Sequence, residues 1–177
     1  MDVIRGAGFR GPMIALHRPQ IPQNTGNISR LCVALQSPLI VTGRAGFNFD
    51  AAAVKRAGLD HWEHLDFTHF ARFKDFWEKH ANRRIIGVTK VAPVSALAFD
   101  YAEGDILLFG NETMGLPPAL LSRLKYTVNL PMSGKVRSLN LSNSVAVAAY
   151  AYIAKVHPHA GHNADTYPRT YYRSLKK

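Results

Sequence analysis

Short apolar runs alternate along the chain with stretches in which apolar residues recur at helical spacing. The runs at 13–16, 39–42, 85–89, 106–109 and 127–130 each end at Gly, Pro or a polar residue, the pattern of buried strands. Residues 65–68 form a weaker sixth candidate. Between the runs, Ile28, Leu31, Cys32 and Leu35 follow the i, i+3, i+4, i+7 spacing of an amphipathic helix. Phe70, Phe73 and Trp77 share the face of another. Asp50 is placed to cap a helix over 51–57, and Gly58 stands where that helix would end. A helix rich in small residues runs over 141–154, and its face of Ser144, Ala148 and Ala151 suits close packing, in the core or across a dimer. This alternation predicts one α/β domain over 13–156, with a mostly parallel sheet of about six strands flanked by helices.

The ends depart from this pattern. Residues 1–12 are rich in Gly and read as an N-terminal arm, while 157–177 lack periodicity and form a basic tail with interleaved Tyr and His. That tail is either simply solvated or able to stack tyrosines on bases and hold phosphates. His157, His159 and His162 have no carboxylate or cysteine partner at a metal-ligating spacing, so no metal site is expected.

Composition narrows the class. Hydrophobic residues make up 47% and charged residues 19%, which is globular rather than disordered. Lys and Arg number 22 against 12 Asp and Glu, a net charge of +10 that favours a polyanionic partner. The lone Cys32 excludes a disulfide framework and a cysteine zinc cluster. The longest apolar run, 145–154, is too short to span a bilayer, and the N-terminus lacks a secretory apolar stretch. A cytoplasmic protein with no membrane partner is expected. Gly6-Ala7-Gly8-Phe9-Arg10-Gly11 spells a dinucleotide fingerprint, but it neither follows a strand nor opens a helix, which excludes that use.

Three segments carry more Gly, Pro and polar residues than their flanks require. The first is Arg18-Pro19-Gln20-Ile21-Pro22-Gln23-Asn24-Thr25-Gly26-Asn27-Ile28-Ser29-Arg30, between the first strand and its helix. Asn24 is placed as the helix N-cap, and Asn27 and Arg30 join it near a helix start, a natural place for phosphate. The second, Leu107-Leu108-Phe109-Gly110-Asn111-Glu112-Thr113-Met114-Gly115-Leu116-Pro117, ends a buried strand in a glycine and puts Glu112 at the carboxyl edge, where open α/β sheets bind ligands. The third, from Asn129-Leu130-Pro131-Met132 to Arg137-Ser138-Leu139-Asn140-Leu141-Ser142-Asn143, passes from a strand through a basic loop into the last helix. It holds more capping residues than one helix needs.

In that order and spacing the three segments resemble the SPOUT methyltransferases, most closely the TrmL-type tRNA 2′-O-methyltransferases. The resemblance runs from about Met13 to Lys155 and includes Arg56-Ala57-Gly58-Leu59-Asp60; Asn111 departs from it, where many relatives have Pro. It implies a parallel sheet with a deep C-terminal trefoil knot, an otherwise nearly absent kind of threading. It implies a homodimer whose active sites take residues from both chains, tRNA as partner, and S-adenosylmethionine as methyl donor without a metal. The cofactor-binding positions would be Val88, Thr89, Phe109, Gly110, Leu130, Met132, Ser138 and Leu139. The catalytic set would be Arg30, Asn24, Glu112, Ser138 and Asn140. Arg30 would face the target ribose and its phosphate, and since a guanidinium keeps its proton, an electrostatic role suits it better than that of a base. The implied target is the wobble nucleotide of leucine tRNAs, cytidine or 5-carboxymethylaminomethyluridine. Another tRNA or rRNA site, or an inactive RNA-binding module, are the alternatives.

Overall fold

The computed structural model describes residues 10–48 and 61–160. Six strands form one parallel sheet: β1 (Met13–His17), β2 (Leu39–Thr42), β3 (Phe67–Phe70), β4 (Ile85–Val88), β5 (Ile106–Phe109) and β6 (Tyr126–Val128), in the order β3-β2-β1-β5-β4-β6. The chain winds outward from β1 to one edge, then returns to lay β5 against the other side of β1. That reversal opens a crevice at the strands' carboxyl ends. Helices α1 (Pro22–Ala34) and α4 (Leu141–Val156) pack on each other, and α4 also contacts β5. Helix α2 (Phe73–Lys79), the short α3 (Pro118–Leu121) and a 3-10 turn (Trp62–His64) complete the described elements.

Alternation within the strands divides the core in two. Ile14, Leu16, Leu107 and Phe109 join Ile28 and Cys32 of α1 and Val145, Ala148 and Tyr152 of α4. Ala15, Ile106 and Leu108 meet Phe76 of α2 and Leu116 on the opposite face. Both faces of the central strands are covered, so their sequences are unbroken apolar runs.

Several boundaries differ from the sequence reading, each for a local reason. Strand β3 is Phe67–Phe70, displaced from 65–68, so Phe70 pairs with Thr42 instead of lying on α2. Strand β6 stops before Asn129, whose side-chain amide donates to the Ala92 carbonyl at 2.7 Å, and β4 stops before Thr89. Asn24 is not the cap of α1: the helix begins at Pro22 with Ile21 as N-cap residue, and the Asn24 side chain is engaged elsewhere. Helix α3 has four residues, too few to show a period. Ala148 is fully buried inside the subunit, so it is not a dimer contact; the exposed apolar ridge of α4 is Val147 and Tyr150, 43% and 56% exposed. The helix expected over 51–57 lies outside the described residues.

The core predicts an alkaline weakness. Burial pushes the Cys32 thiol up to about 12, and burial followed by the Asp105 charge pushes the Tyr101 phenol up to about 12. Both folded-state values lie above the unfolded ones, so the stabilisation is complete below those ordinary values and is lost as pH rises toward 12. Urea midpoints should hold steady from neutrality to about pH 8.5 and then fall, by up to about 1.4 kcal/mol per pH unit for each group. Cys32→Ala should flatten the part of the fall between about pH 9 and 10. An unchanged slope in that variant would place the alkaline loss elsewhere.

Candidate active site

The three polar segments leave β1, β5 and β6 at the same edge of the sheet and meet through one carboxylate. Glu112 Oε2 accepts from the Gln20 backbone N–H at 2.9 Å, and Oε1 accepts from the Ile21 N–H at 3.1 Å and from Asn24 Nδ2 at 2.9 Å. Those backbone donors sit at the start of α1, where N–H groups lack helical acceptors and the helix dipole favours negative charge. Asn24 Oδ1 in turn accepts from Asn140 Nδ2 at 2.9 Å. Asn140 Oδ1 then accepts from the Ser142 N–H at 2.9 Å and the Asn143 N–H at 3.4 Å, capping α4, and from the Ser142 hydroxyl at 2.7 Å.

The loop carrying Glu112 is shaped by its neighbours. Asn111 Oδ1 accepts from the Thr113 and Met114 N–H groups at 3.1 and 2.7 Å, and the Gly115 N–H closes onto the Asn111 carbonyl at 2.9 Å. This Asx turn folds the loop without a proline at that position. A Cβ on Gly110 would lie 1.9 Å from the Gly115 carbonyl carbon, so backbone approaches backbone there as only glycine permits.

Beside this junction lies a cavity of about 740 Å³. Val88 and Thr89 line it from the end of β4, Phe109, Gly110 and Glu112 from β5 and its loop, and Leu130 and Met132 from beyond β6. Ser138, Leu139 and Asn140 line it ahead of α4, and Asn24 from α1. Every site residue expected from the sequence is therefore brought together, with one exception. Arg30 does not line the cavity: it lies on the exposed face of α1 with Gln23 and Asn27, whereas Asn24, Thr25 and Ile28 face inward. Sequence reasoning missed Lys90, Val91, Met114, Arg137 and Ser144, which also line the cavity. Met114 and Arg137 stand within quoted segments, but Val91 is an exposed apolar residue at 70%, and no periodicity marks such a position.

Chemically, the cavity offers apolar surface from Leu116, Leu130, Leu139 and Leu141, one carboxylate, and the cations of Lys90 and Arg137. Its volume and mixed lining match a site for a small organic molecule with charged ends. Among the described residues no cluster of His, Cys, Asp and Glu could hold a metal.

Known proteins resemble this chain in sequence and in fold. The model of the SpoU rRNA Methylase family matches residues 11–150. The tRNA (cytidine(34)-2′-O)-methyltransferase of Aeromonas hydrophila subsp. hydrophila is 40% identical over 139 residues, 77% of this chain and 89% of that protein. The protein of that name from Escherichia coli K12 is 38% identical over 139 residues, 77% of this chain and 88% of its own length. A solved structure described as "Structural insights into the 2-OH methylation of C/U34 on tRNA" superposes with a TM-score of 0.77 at 39% identity, covering 81% of this chain and 95% of that one. The SpoU methyltransferase AviRb from Streptomyces viridochromogenes, in complex with AdoMet, gives a TM-score of 0.71 at 27% identity, covering 88% of this chain and 62% of that one.

The relay predicts that its members fail together. Glu112→Ala and Asn140→Ala should each destabilise the fold by about 1–3 kcal/mol, because each leaves polar partners unsatisfied. In a double-mutant cycle the pair should be coupled by about 0.5–2 kcal/mol through Asn24. Denaturant unfolding measures both, and strict additivity would show that the three segments are held independently.

Proposed function

The chain belongs to the SpoU rRNA methylase family, and from that premise we propose that it methylates the ribose 2′-oxygen of nucleotide 34 in tRNA. Family membership makes it an S-adenosylmethionine-dependent RNA 2′-O-methyltransferase. The observation that carries the assignment is the convergence of all three motif loops on one cavity through Glu112, Asn24 and Asn140. The names of the relatives from A. hydrophila and E. coli support position 34. Leucine tRNAs carrying cytidine or 5-carboxymethylaminomethyluridine at that position are the finer form of the proposal. The family model is named for rRNA, which makes a ribosomal site the second reading.

The cavity suits the cofactor. Leu116, Leu130, Leu139 and Leu141 offer apolar surface for an adenine ring, Lys90 and Arg137 offer cations to a carboxylate, and Glu112 offers an anion to the ammonium. When bound, S-adenosylmethionine supplies an electrophilic methyl on a sulfonium. The chain's own task is positioning, bringing the ribose oxygen and methyl to about 3–3.5 Å in line. Ser138 and Asn140 orient the ribose and the methionine end. Arg30 holds the ribose and its phosphate and stabilises the negative charge that develops on the 2′-oxygen, keeping its own proton throughout.

Arg30 does not line its own chain's cavity, and this favours a shared active site. We propose a homodimer formed across the Val147 and Tyr150 ridge, in which Arg30 of each subunit serves the cavity of the other. The C-terminal segment is the part expected to thread through a loop as the trefoil knot, and the Asn24–Asn140 bond ties the start of α4 to α1. Cytoplasmic location follows from a tRNA substrate, and no helix among the described residues is long and apolar enough to cross a membrane.

Three measurements test this reading. Mass mapping of leucine tRNA after incubation with enzyme and S-adenosylmethionine should find one methyl on the ribose of nucleotide 34. A methyl found only at another tRNA position or in rRNA overturns the substrate. Arg30→Ala should slow single-turnover transfer by about 10²–10³ while cofactor affinity, read by calorimetry, is unchanged. A rate within threefold of wild type would remove Arg30 from the site. Sedimentation should give twice 19.6 kDa, and Tyr150→Asp should shift the protein toward monomer at a given concentration. A variant as dimeric as wild type would place the contact on another face.

A further inference from the structure

The sheet has a second feature at the edge opposite the cavity. Strands β4 and β6 end beside the cavity, at Val88 and just before Leu130, and begin at Ile85 and Tyr126. At that starting edge the tail of α2 and the turn before β6 enclose a groove of about 360 Å³. Its lining includes Trp77, His80, Arg83, Arg123, Lys125 and Tyr126, and no acidic side chain.

Arg123 and Lys125 are held on aromatic faces, and the Arg83 guanidinium donates to the Gly104 carbonyl at 3.3 Å. The Arg123 guanidinium lies 4.8 Å from the centroid of Trp77, and the Lys125 ammonium 5.3 Å from that of Tyr126. Arg84, also lining the groove, lies 4.9 Å from the Tyr126 centroid on the other hand, but its charge is taken by Asp105 at 3.1 Å and its NH2 group donates to the Asp100 carbonyl at 2.9 Å. Among the described residues no carboxylate pairs with Arg83, Arg123 or Lys125, whereas Arg72, Lys74 and Lys155 each have one. The His80 imidazole is held below its ordinary range, first by burial and then by Arg83 and Lys79.

Three cations without carboxylate partners in one concave site repel each other, and an anion with several charges in a row relieves that repulsion. A guanidinium stacked on an indole keeps its N–H edge available and its orientation fixed, which suits a phosphate oxygen. Aromatic faces interleaved with cations are also the composition of nucleic-acid grooves rather than of sites for a single small anion. We propose that this groove holds the phosphate backbone of the RNA substrate away from the methylated nucleotide, an inference that rests on the RNA-methylating reading of the main cavity. The three residue steps from Ile85 to Val88 span about 10 Å, so an RNA arm entering the cavity passes along the β6 edge to reach the groove. Such contacts fix register and orientation without reading bases.

The test uses the full chain and a leucine tRNA transcript. R83A/R123A/K125A should bind the transcript about tenfold more weakly at moderate salt, with the slope of log affinity against log salt reduced by about two to three units. Because Arg123 also packs on Trp77, R83E/K125E keeps that contact and should show the same direction of change while remaining folded at the assay temperature. R72A/K74A/K155A removes three carboxylate-paired cations and should leave the slope within about one unit. Single-turnover methylation at saturating RNA should remain within about twofold of wild type for the groove variants, since binding is lost and chemistry is not. Unchanged RNA affinity and slope in both groove variants overturn the proposal. If in that case the same variants lose binding to polyglutamate, the groove belongs to an acidic protein partner. Wild-type methylation at nucleotide 34 with unaltered groove variants would overturn the groove alone; a wild-type chain that binds no RNA would overturn the substrate reading with it.

Discussion

The Glu112 carboxylate is the constraint from which the rest of the site follows, because both of its oxygens accept hydrogen bonds from the head of α1. It meets the N–H groups that open α1, so the donor end of the Asn24 amide must turn toward it. The carbonyl end of Asn24 then faces outward and must accept, which orients Asn140 with its NH2 toward Asn24 and its oxygen toward α4. The opening N–H groups of α4 take that oxygen, and the sequence of bonds closes with each atom in the one role its chemistry allows. A carboxylate at one end and helix donors at the other thus fix both amides. Two helices from distant parts of the chain are referenced to the same charge.

This has a consequence for the chemistry. The cavity walls after β5, before α4 and at the head of α1 are all tied to that relay, so their relative positions do not depend on a ligand. A methyl transfer that needs alignment more than acid–base work gains from walls set in advance. Glu112, with three donors already on its oxygens, serves as the anchor of the arrangement rather than as a mobile reactant. The same bonds take Asn24 out of the capping role that its position in the sequence suggests. An Asn near the start of a helix usually caps it, but here Glu112 supplies the acceptor from another loop and frees Asn24 for a bond that no local spacing could reveal.

What was legible in the sequence follows the range of the forces involved. Strands at Leu39–Thr42 and Ile106–Phe109 could be read to the residue because both of their faces are buried and the apolar runs are unbroken. Strand β3 lies at the sheet edge, half exposed, and its reading slipped by two residues. The cavity-lining residues were legible through motif order, which carries long-range geometry that periodicity lacks. The burial of Ala148 was not: small residues at helical spacing look alike whether they meet their own sheet or a second subunit. The same limit hid Val91 on the cavity rim, since an exposed apolar side chain leaves no periodic trace.

Charge shows this limit most sharply. A net +10 could be counted from the sequence and pointed to a polyanion, but a count has no location. In the fold, Arg72, Lys74, Arg84 and Lys155 are matched by carboxylates, and such pairs add little to the field felt by a distant polyanion. The cations without carboxylate partners at the start of β4 and β6 do add to it. Their separation from the cavity by the length of the strands means that affinity for RNA and alignment of the reacting ribose can be set by different residues. A long polyanion tolerates that division, because its backbone carries the same charge at both places while only one nucleotide has to fit the cavity. A substrate as small as a free nucleotide could not span the two edges, so the placement of charge and the placement of chemistry point to the same class of molecule.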